Sequence, residues 1–121
     1  MHNFRRLDVW TLSMEIAVEI LKLNDTLPYQ KRNGLSKQIE RSSVSVPSNI
    51  AEGSGRKSVK EYLHVLNIAS ASSYELETQI LIAQQIDFYT GFEINPIIEK
   101  IHLTQKMLYG LIQFVKRKNE N

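Results

Sequence analysis

Apolar residues return every third or fourth position along four stretches of the chain, the period of a helix that buries one face. In the first stretch Trp10, Met14, Ala17 and Leu21 recur at spacings of 4, 3 and 4, with Ile16, Ile20, Leu23 and Leu27 beside them. That predicts a broad buried stripe on a helix over about residues 8–27. Asp8 reads as its N-terminal cap, Leu7 and Leu12 have the spacing of a hydrophobic staple, and Pro28 ends it. Tyr29 to Gly34 is then a short basic loop.

A second helix is expected over about residues 35–53. At about 100° per residue, Ile39, Val46, Ile50 and Gly53 share one face, and Arg41, Ser45, Asn49, Glu52 and Arg56 form a polar line roughly 100° further round. Pro47 has no amide to donate to the Ser43 carbonyl and its ring crowds that carbonyl, at a cost of roughly 3 kcal/mol in a regular interior, so a kink is expected there. Ser42, Ser43 and Ser45 are small enough for close helix approach, with hydroxyls able to satisfy the disturbed ladder.

Gly53 to Lys57 is a turn, and Ser58-Val59-Lys60-Glu61 has the capping-box pattern that starts a third helix over about residues 58–88, on the order of 45 Å long. Tyr62, Leu66, Ala69, Ser73, Leu76, Ile80 and Ala83 alternate strictly at 4 and 3, and Gly91 reads as the closing residue. The small run Ala69 to Ser73 is expected to face the serines of helix 2 or a neighbouring subunit. Asn95-Pro96 supplies a cap and a proline for a fourth helix over about residues 96–117, with Ile97, Ile101, Thr104, Leu108, Leu111 and Val115 on its apolar face. No stretch alternates as a strand. Short connections place consecutive helices side by side and reversed, so the expected fold is all-α: a single domain, residues 1–121, forming an antiparallel up-down-up-down four-helix bundle.

The chain of 121 residues holds no cysteine, which excludes thiol chemistry and Cys-ligated metal sites and fits a reducing, cytoplasmic setting. Neither a signal peptide nor a membrane-spanning run is expected. The net charge of +2 is unevenly spread. Residues 1–60 hold ten Lys or Arg against six Asp or Glu, whereas residues 61–99 hold six acids and no Lys or Arg. Such asymmetry suits contact between unlike faces and leaves a basic surface for polyanions.

Glu61-x-x-His64 and Glu99-x-x-His102 match the spacing of a di-metal carboxylate site. With helices 3 and 4 reversed, however, His102 falls level with about residue 80, some 24 Å from His64, and both pairs lie away from the apolar stripes. Surface histidines are the expectation, with no metal and no cofactor. The Gly53–Gly55 turn beside Arg56 and Lys57 could offer amides to a phosphate, but it lacks P-loop spacing and a preceding strand, and punctuation between helices is the plainer reading. No histidine is placed to activate Ser42, Ser43 or Ser45. Lys31, Arg32, Lys37, Arg41, Arg56, Lys57 and Lys60 cluster in sequence around helix 2 and could track a phosphate backbone without reading bases. Ser45, Asn49, Glu52 and Arg56 are the candidate subunit-interface residues.

Four runs carry a family resemblance: Phe4-x-x-Leu7-x-x-Trp10; Gly34-Leu35-Ser36-x-Gln38-Ile39-x-Arg41; Ser45-Val46-Pro47-x-Asn49-Ile50-Ala51-Glu52-Gly53-x-Gly55-Arg56; and Ala69-x-x-Ser72-x-x-Glu75-Leu76-Glu77. They resemble the four-helix-bundle proteins encoded in intervening sequences of bacterial 23S ribosomal RNA genes. The match covers helices 1 to 3, and helix 4 only by its apolar period. Ser13 and Ser42 stand where that family usually has alanine, which bears on packing.

The resemblance implies an antiparallel bundle that assembles as a homo-oligomer, typically a pentameric ring, with no established enzymatic activity. A more distant similarity is to the accessory variability protein of diversity-generating retroelements, a basic pentameric bundle that binds a reverse transcriptase and nucleic acid. The expectation is therefore a non-enzymatic, cytoplasmic, bacterial homo-oligomer that binds ribosomal or other RNA, or a nucleoprotein, through its basic residues, with no membrane and no small-molecule substrate. The alternatives are a pure protein–protein assembly module and a metal-dependent enzyme, the last requiring bound iron or manganese.

Overall fold

The computed structural model describes residues 3–120; the readings that touch Met1, His2 and Asn121 lie outside them. Four helices carry the fold: α1 Asp8–Asn24, α2 Leu35–Ser54, α3 Val59–Gln85 and α4 Asn95–Glu120. Short 3-10 turns at Phe4–Arg6 and Tyr29–Lys31 precede α1 and α2, and no strand occurs among the described residues. α2 packs on α1 and α3, and α4 on α3 and α1. Partners on α2 and α3 run in opposite order: Ser42 meets Gln79, Ser45 meets Ser72, and Gly53 lies against Tyr62 and Val65.

On α3 every residue of the strict 4,3 pattern, from Tyr62 to Ala83, is buried, and on α2 Ile39, Val46, Ile50 and Gly53 are buried together. On α1 one edge of the broad predicted stripe is buried and the other is not. The buried residues are Val9, Ser13, Ile16, Ala17, Ile20 and Asn24, whereas Met14 is 37% and Leu21 40% exposed. The buried face lies about 80° round from the line of Trp10, Met14, Ala17 and Leu21, at about 100° per residue, on the side of Ile16, Ile20 and Leu27, which the broad predicted stripe includes and which are buried. It contains two polar residues, Ser13 and Asn24, that an apolar count passes over.

Ser13 belongs to a layer to which every helix contributes one buried hydroxyl: Ser13, Ser43, Ser73 and Thr104. Each donates into its own helix, to Trp10 O at 2.9 Å, Glu40 O at 2.8 Å, Ser70 O at 2.6 Å and Lys100 O at 2.9 Å. No hydroxyl proton is thus left unbonded, which removes the main penalty for burying it. With Ile16, Val46, Leu76 and Ile101 they surround a void of only about 10 Å³. The layer lies between two apolar clusters, one built on Ile20, Ile39, Ile80 and Ile97, the other on Ile50, Leu66, Ala69 and Leu108. Ser43 therefore serves the core and does not repair the ladder at Pro47, while α2 continues as helix through that proline.

Helix ends differ from expectation by local chemistry. Leu7, not Asp8, holds the cap position of α1 and makes no side-chain cap bond; Asp8 sits in the first turn, where its charge favours the amide end. α3 stops at Gln85 because Asp87 takes a left-handed conformation (φ 50°) and Phe88 N–H returns to Ala83 O at 2.9 Å, an ending usually made by glycine. Gly91 (φ 79°) instead serves a turn in which Phe92 N–H bonds Tyr89 O. α4 starts on the Ile94 carbonyl, and the Asn95 side chain accepts from Gln84 Nε2 at 3.0 Å in place of capping. Ser58 does cap α3, accepting from Glu61 N–H at 3.1 Å.

Two glycines make the packing testable. A Cβ on Gly53 would sit 2.9 and 3.1 Å from ring atoms of the buried Tyr62, whereas nothing lies within 4 Å of one on the exposed Gly110. Urea unfolding should find Gly53→Ala destabilised by about 1–3 kcal/mol and Gly110→Ala stabilised by about 0.5–1 kcal/mol.

Candidate nucleic-acid and subunit interface

The polar line predicted on α2 occupies the flank next to α3. Asn49 Nδ2 donates to Ser45 O at 2.8 Å and Ser45 Oγ at 3.0 Å, and Ser45 Oγ is 2.8 Å from Ser72 Oγ. Ser42 Oγ donates to Gln79 Oε1 at 2.7 Å. Of the four interface candidates, Ser45 and Asn49 are thus half-buried and engaged in the seam between α2 and α3. Glu52 and Arg56 are exposed and paired with each other one turn apart, an arrangement worth a few tenths of a kcal/mol. Arg41 lies beside Gln38, Ser45, Glu75 and Gln79 at the rim of a shallow polar cleft.

The seven basic candidates do not gather at one place. α2 has 20 residues and is therefore about 30 Å long, with Lys31, Arg32 and Lys37 at its start and Arg56, Lys57 and Lys60 beyond its end. Arg41 stands between. Lys31 donates to Phe88 O at 2.7 Å with its ammonium 5.2 Å from the Phe88 ring centre. Arg32 donates to Leu27 O at 2.8 Å and Asp25 O at 3.2 Å, and Lys37 pairs with Glu40 at 3.5 Å. Among the described residues no hydrogen bond or ion pair engages Arg41, Lys57 or Lys60, and all three are exposed. Proximity in sequence thus overstates the surface available to phosphates.

The Gly53–Gly55 turn offers little to an anion, because its amides close α2: Gly55 N–H bonds Glu52 O and Arg56 N–H bonds Gly53 O. His102 Nε2 lies 2.7 Å from Glu77 Oε2, and Gln105 Nε2 donates to Glu77 Oε1 at 2.9 Å. The Gln105 amide first, and then His102, hold the Glu77 carboxyl below the usual carboxylate range. Glu77 is thirteen residues along α3 from His64, about 20 Å, so the two Glu-x-x-His pairs do not meet. Among the described residues no three His, Cys, Asp or Glu side chains converge as a metal site would require. No described helix is long and apolar enough to cross a membrane.

Sequence reasoning missed two features. The first is a buried amide at one end of the molecule, where Asn24 Nδ2 donates to Ser36 O at 3.1 Å and Glu40 Oε2 at 2.9 Å while Tyr89 OH donates to Asn24 Oδ1 at 2.7 Å. It ties α1, α2 and the α3–α4 connection together. Burial first, and then the Glu40 charge, push the Tyr89 hydroxyl up to about 12. Its only sequence signal was the spacing of Asn24 from Ile20 and Leu27. The second is the uncovered stripe on α1: Met14, Val18 (41% exposed) and Leu21 at helical spacing, with the exposed Val44 of α2 one turn past Glu40, whose carboxylate reaches α1.

A family model described as 23S rRNA-intervening sequence protein matches residues 5–110. Among solved structures, the chain is similar to a protein of unknown function from the S23 ribosomal protein family of Bacteroides thetaiotaomicron. The two are 30% identical, with a TM-score of 0.79 over 86% of this chain and 97% of that one. No curated protein matches.

The burial of Tyr89 beside Glu40 predicts a distinct alkaline response. The unfolded tyrosine ionises at 10.0 and the folded one at about 12, so this contribution is constant below pH 10 and is lost as pH rises through that interval, by at most about 1.4 kcal/mol per pH unit. Denaturant titrations should show Tyr89→Phe lacking this decline, and about 1–2 kcal/mol less stable at neutral pH because Asn24 Oδ1 loses its donor.

Proposed function

The chain belongs to the family of 23S rRNA-intervening sequence proteins, and we propose that it works by assembling with copies of itself and catalyses no reaction. The subunit in this reading is an antiparallel up-down-up-down bundle forming a single cytoplasmic domain and bent at Pro47. The opposite order of the α2 and α3 partners supports the reversed helices.

One observation carries the assembly reading: α1 has a second apolar stripe, Met14, Val18 and Leu21, that no helix of its own chain covers. Three large apolar side chains at helical spacing, continued by Val44 across the groove, make a patch of the kind that marks a protein contact. The outward side of α3 is the complementary candidate. It exposes Ile68, Ile82 and Ile86 around Glu75, within a segment that holds no Lys or Arg. Contact between the α1–α2 flank, with Lys37 beside it, and the acidic α3 face of the next copy is heterologous, and such contacts close into rings. Five subunits is the number the family resemblance implies. Glu52 and Arg56 would contribute to the polar rim, with Ser45 and Asn49 acting inside the subunit.

Contact with RNA, ribosomal or other, is the second reading, favoured by Arg41, Lys57 and Lys60 remaining exposed without internal partners. Ring assembly would repeat these three cations around one particle and raise their combined effect.

Sedimentation of Val18→Glu/Leu21→Glu tests the assembly: the variant should run as a monomer with unchanged helical circular dichroism. An assembly of undiminished size would refute the contact. For RNA, single-strand affinity should fall with salt at a log–log slope of about −2 for three phosphate contacts per subunit. Arg41→Gln/Lys57→Gln/Lys60→Gln should flatten it, and a slope insensitive to the triple substitution would remove the phosphate reading.

A further inference from the structure

At the end of the molecule marked by Asn24 lies an open cleft of about 780 Å³, between the C-terminal half of α1, the Pro28–Lys31 turn, the α3–α4 connection and the start of α4. We propose that this cleft binds a small amphipathic anion, a flat apolar molecule carrying one carboxylate- or sulfonate-like group. Its volume falls in the range of small-molecule sites, roughly 300–1,000 Å³. Leu23, Leu27, Phe88, Phe92, Pro96 and Ile97 supply apolar wall.

Charge selects the ligand. Three ammonium groups, of Lys22, Lys31 and Lys100, line the cleft together with two carboxylates, of Glu19 and Glu93. Both acids are already engaged: Lys100 Nζ lies 2.5 Å from Glu19 Oε1, and Glu93 Oε1 accepts from Asn95 N–H at 3.1 Å. Lys22 and Lys31 are left without an acidic partner among the described residues. Lys31 is also fixed, by the Phe88 carbonyl at 2.7 Å and the Phe88 ring, and an ammonium has three donors, so two remain for an anion. The walls are set before any ligand arrives. Tyr89 is bonded to Asn24, and Phe88 stands edge-to-face against Tyr89 with ring centres 5.1 Å apart, so binding requires little ordering of the protein. The site is separate from the assembly stripe, since Glu19, bonded to Lys100 of α4, and Leu23 line the cleft whereas Met14, Val18 and Leu21 do not.

Two dyes with the same apolar body test it: 8-anilinonaphthalene-1-sulfonate and its uncharged counterpart N-phenyl-1-naphthylamine. Fluorescence titration is read on the native chain and on Val18→Glu/Leu21→Glu, which removes the α1 stripe as a competing site. The sulfonate should saturate one site per chain and bind at least tenfold more tightly than the neutral dye on both. Lys31→Met should abolish that preference while leaving the neutral dye unchanged, and Thr90→Trp, which fills the cleft from its exposed rim, should weaken both dyes. Equal affinity for the two dyes, a preference that survives Lys31→Met, or binding that disappears only with the α1 stripe would each overturn the proposal, the last assigning the dye to the assembly surface.

Discussion

The closest constraint in the fold is the approach of α2 to α3 over small residues. Gly53 lies under the ring of Tyr62 with no room for a Cβ, Ser45 meets Ser72 through their hydroxyls, and Ala69 is wholly buried nearby. Larger side chains along this seam would hold the helices apart and leave voids that a close-packed interior does not tolerate. Because α2 is pressed against α3 on that side, its opposite shoulder meets α1 through Ser36 and Glu40. Gln38, Arg41, Glu52 and Arg56 are left facing outward.

The same constraint sets the fate of α1. Its rotation is fixed by Ser13 in the hydroxyl layer and by Asn24 bonded to both α2 and Tyr89. A helix held at those two points can bury only one stripe. It carries two, and the second is left in solvent as Met14, Val18 and Leu21. Polar residues inside the bundle therefore determine which apolar residues lie outside it, and that exposed stripe is what the proposed assembly rests on.

Legibility in the sequence followed this division. On α3 every position of the 4,3 pattern is buried, with Val65 in addition, because the buried face is continuous and the small polar Ser73 keeps its spacing in the register. On α1 the Ile16, Ala17, Ile20 and Leu27 side of the stripe is legible, but its Met14 and Leu21 edge lies outside because Ser13 and Asn24, polar and satisfied only by partners that the folded chain supplies, take the buried positions. The end of α3 was misplaced for a similar reason, since Asp87 takes a backbone conformation that composition assigns to glycine. The basic candidates were legible as a group in sequence and not in space. Lys31 and Arg32 bond to main-chain carbonyls whose positions depend on the path of two connections, and no spacing rule encodes that path.

Family membership, a 0.79 TM-score to a relative of unknown function and the uncovered stripe are mutually consistent, and the central claim is that the subunit is incomplete by itself. A native mass spectrum of the unaltered protein after nuclease treatment addresses this most directly. The account predicts a particle at an integer multiple of 14.0 kDa, five-fold if the ring is a pentamer. A single 14.0 kDa species at a chain concentration of about 10 μM, well above the dissociation constant of a stable assembly, would contradict it.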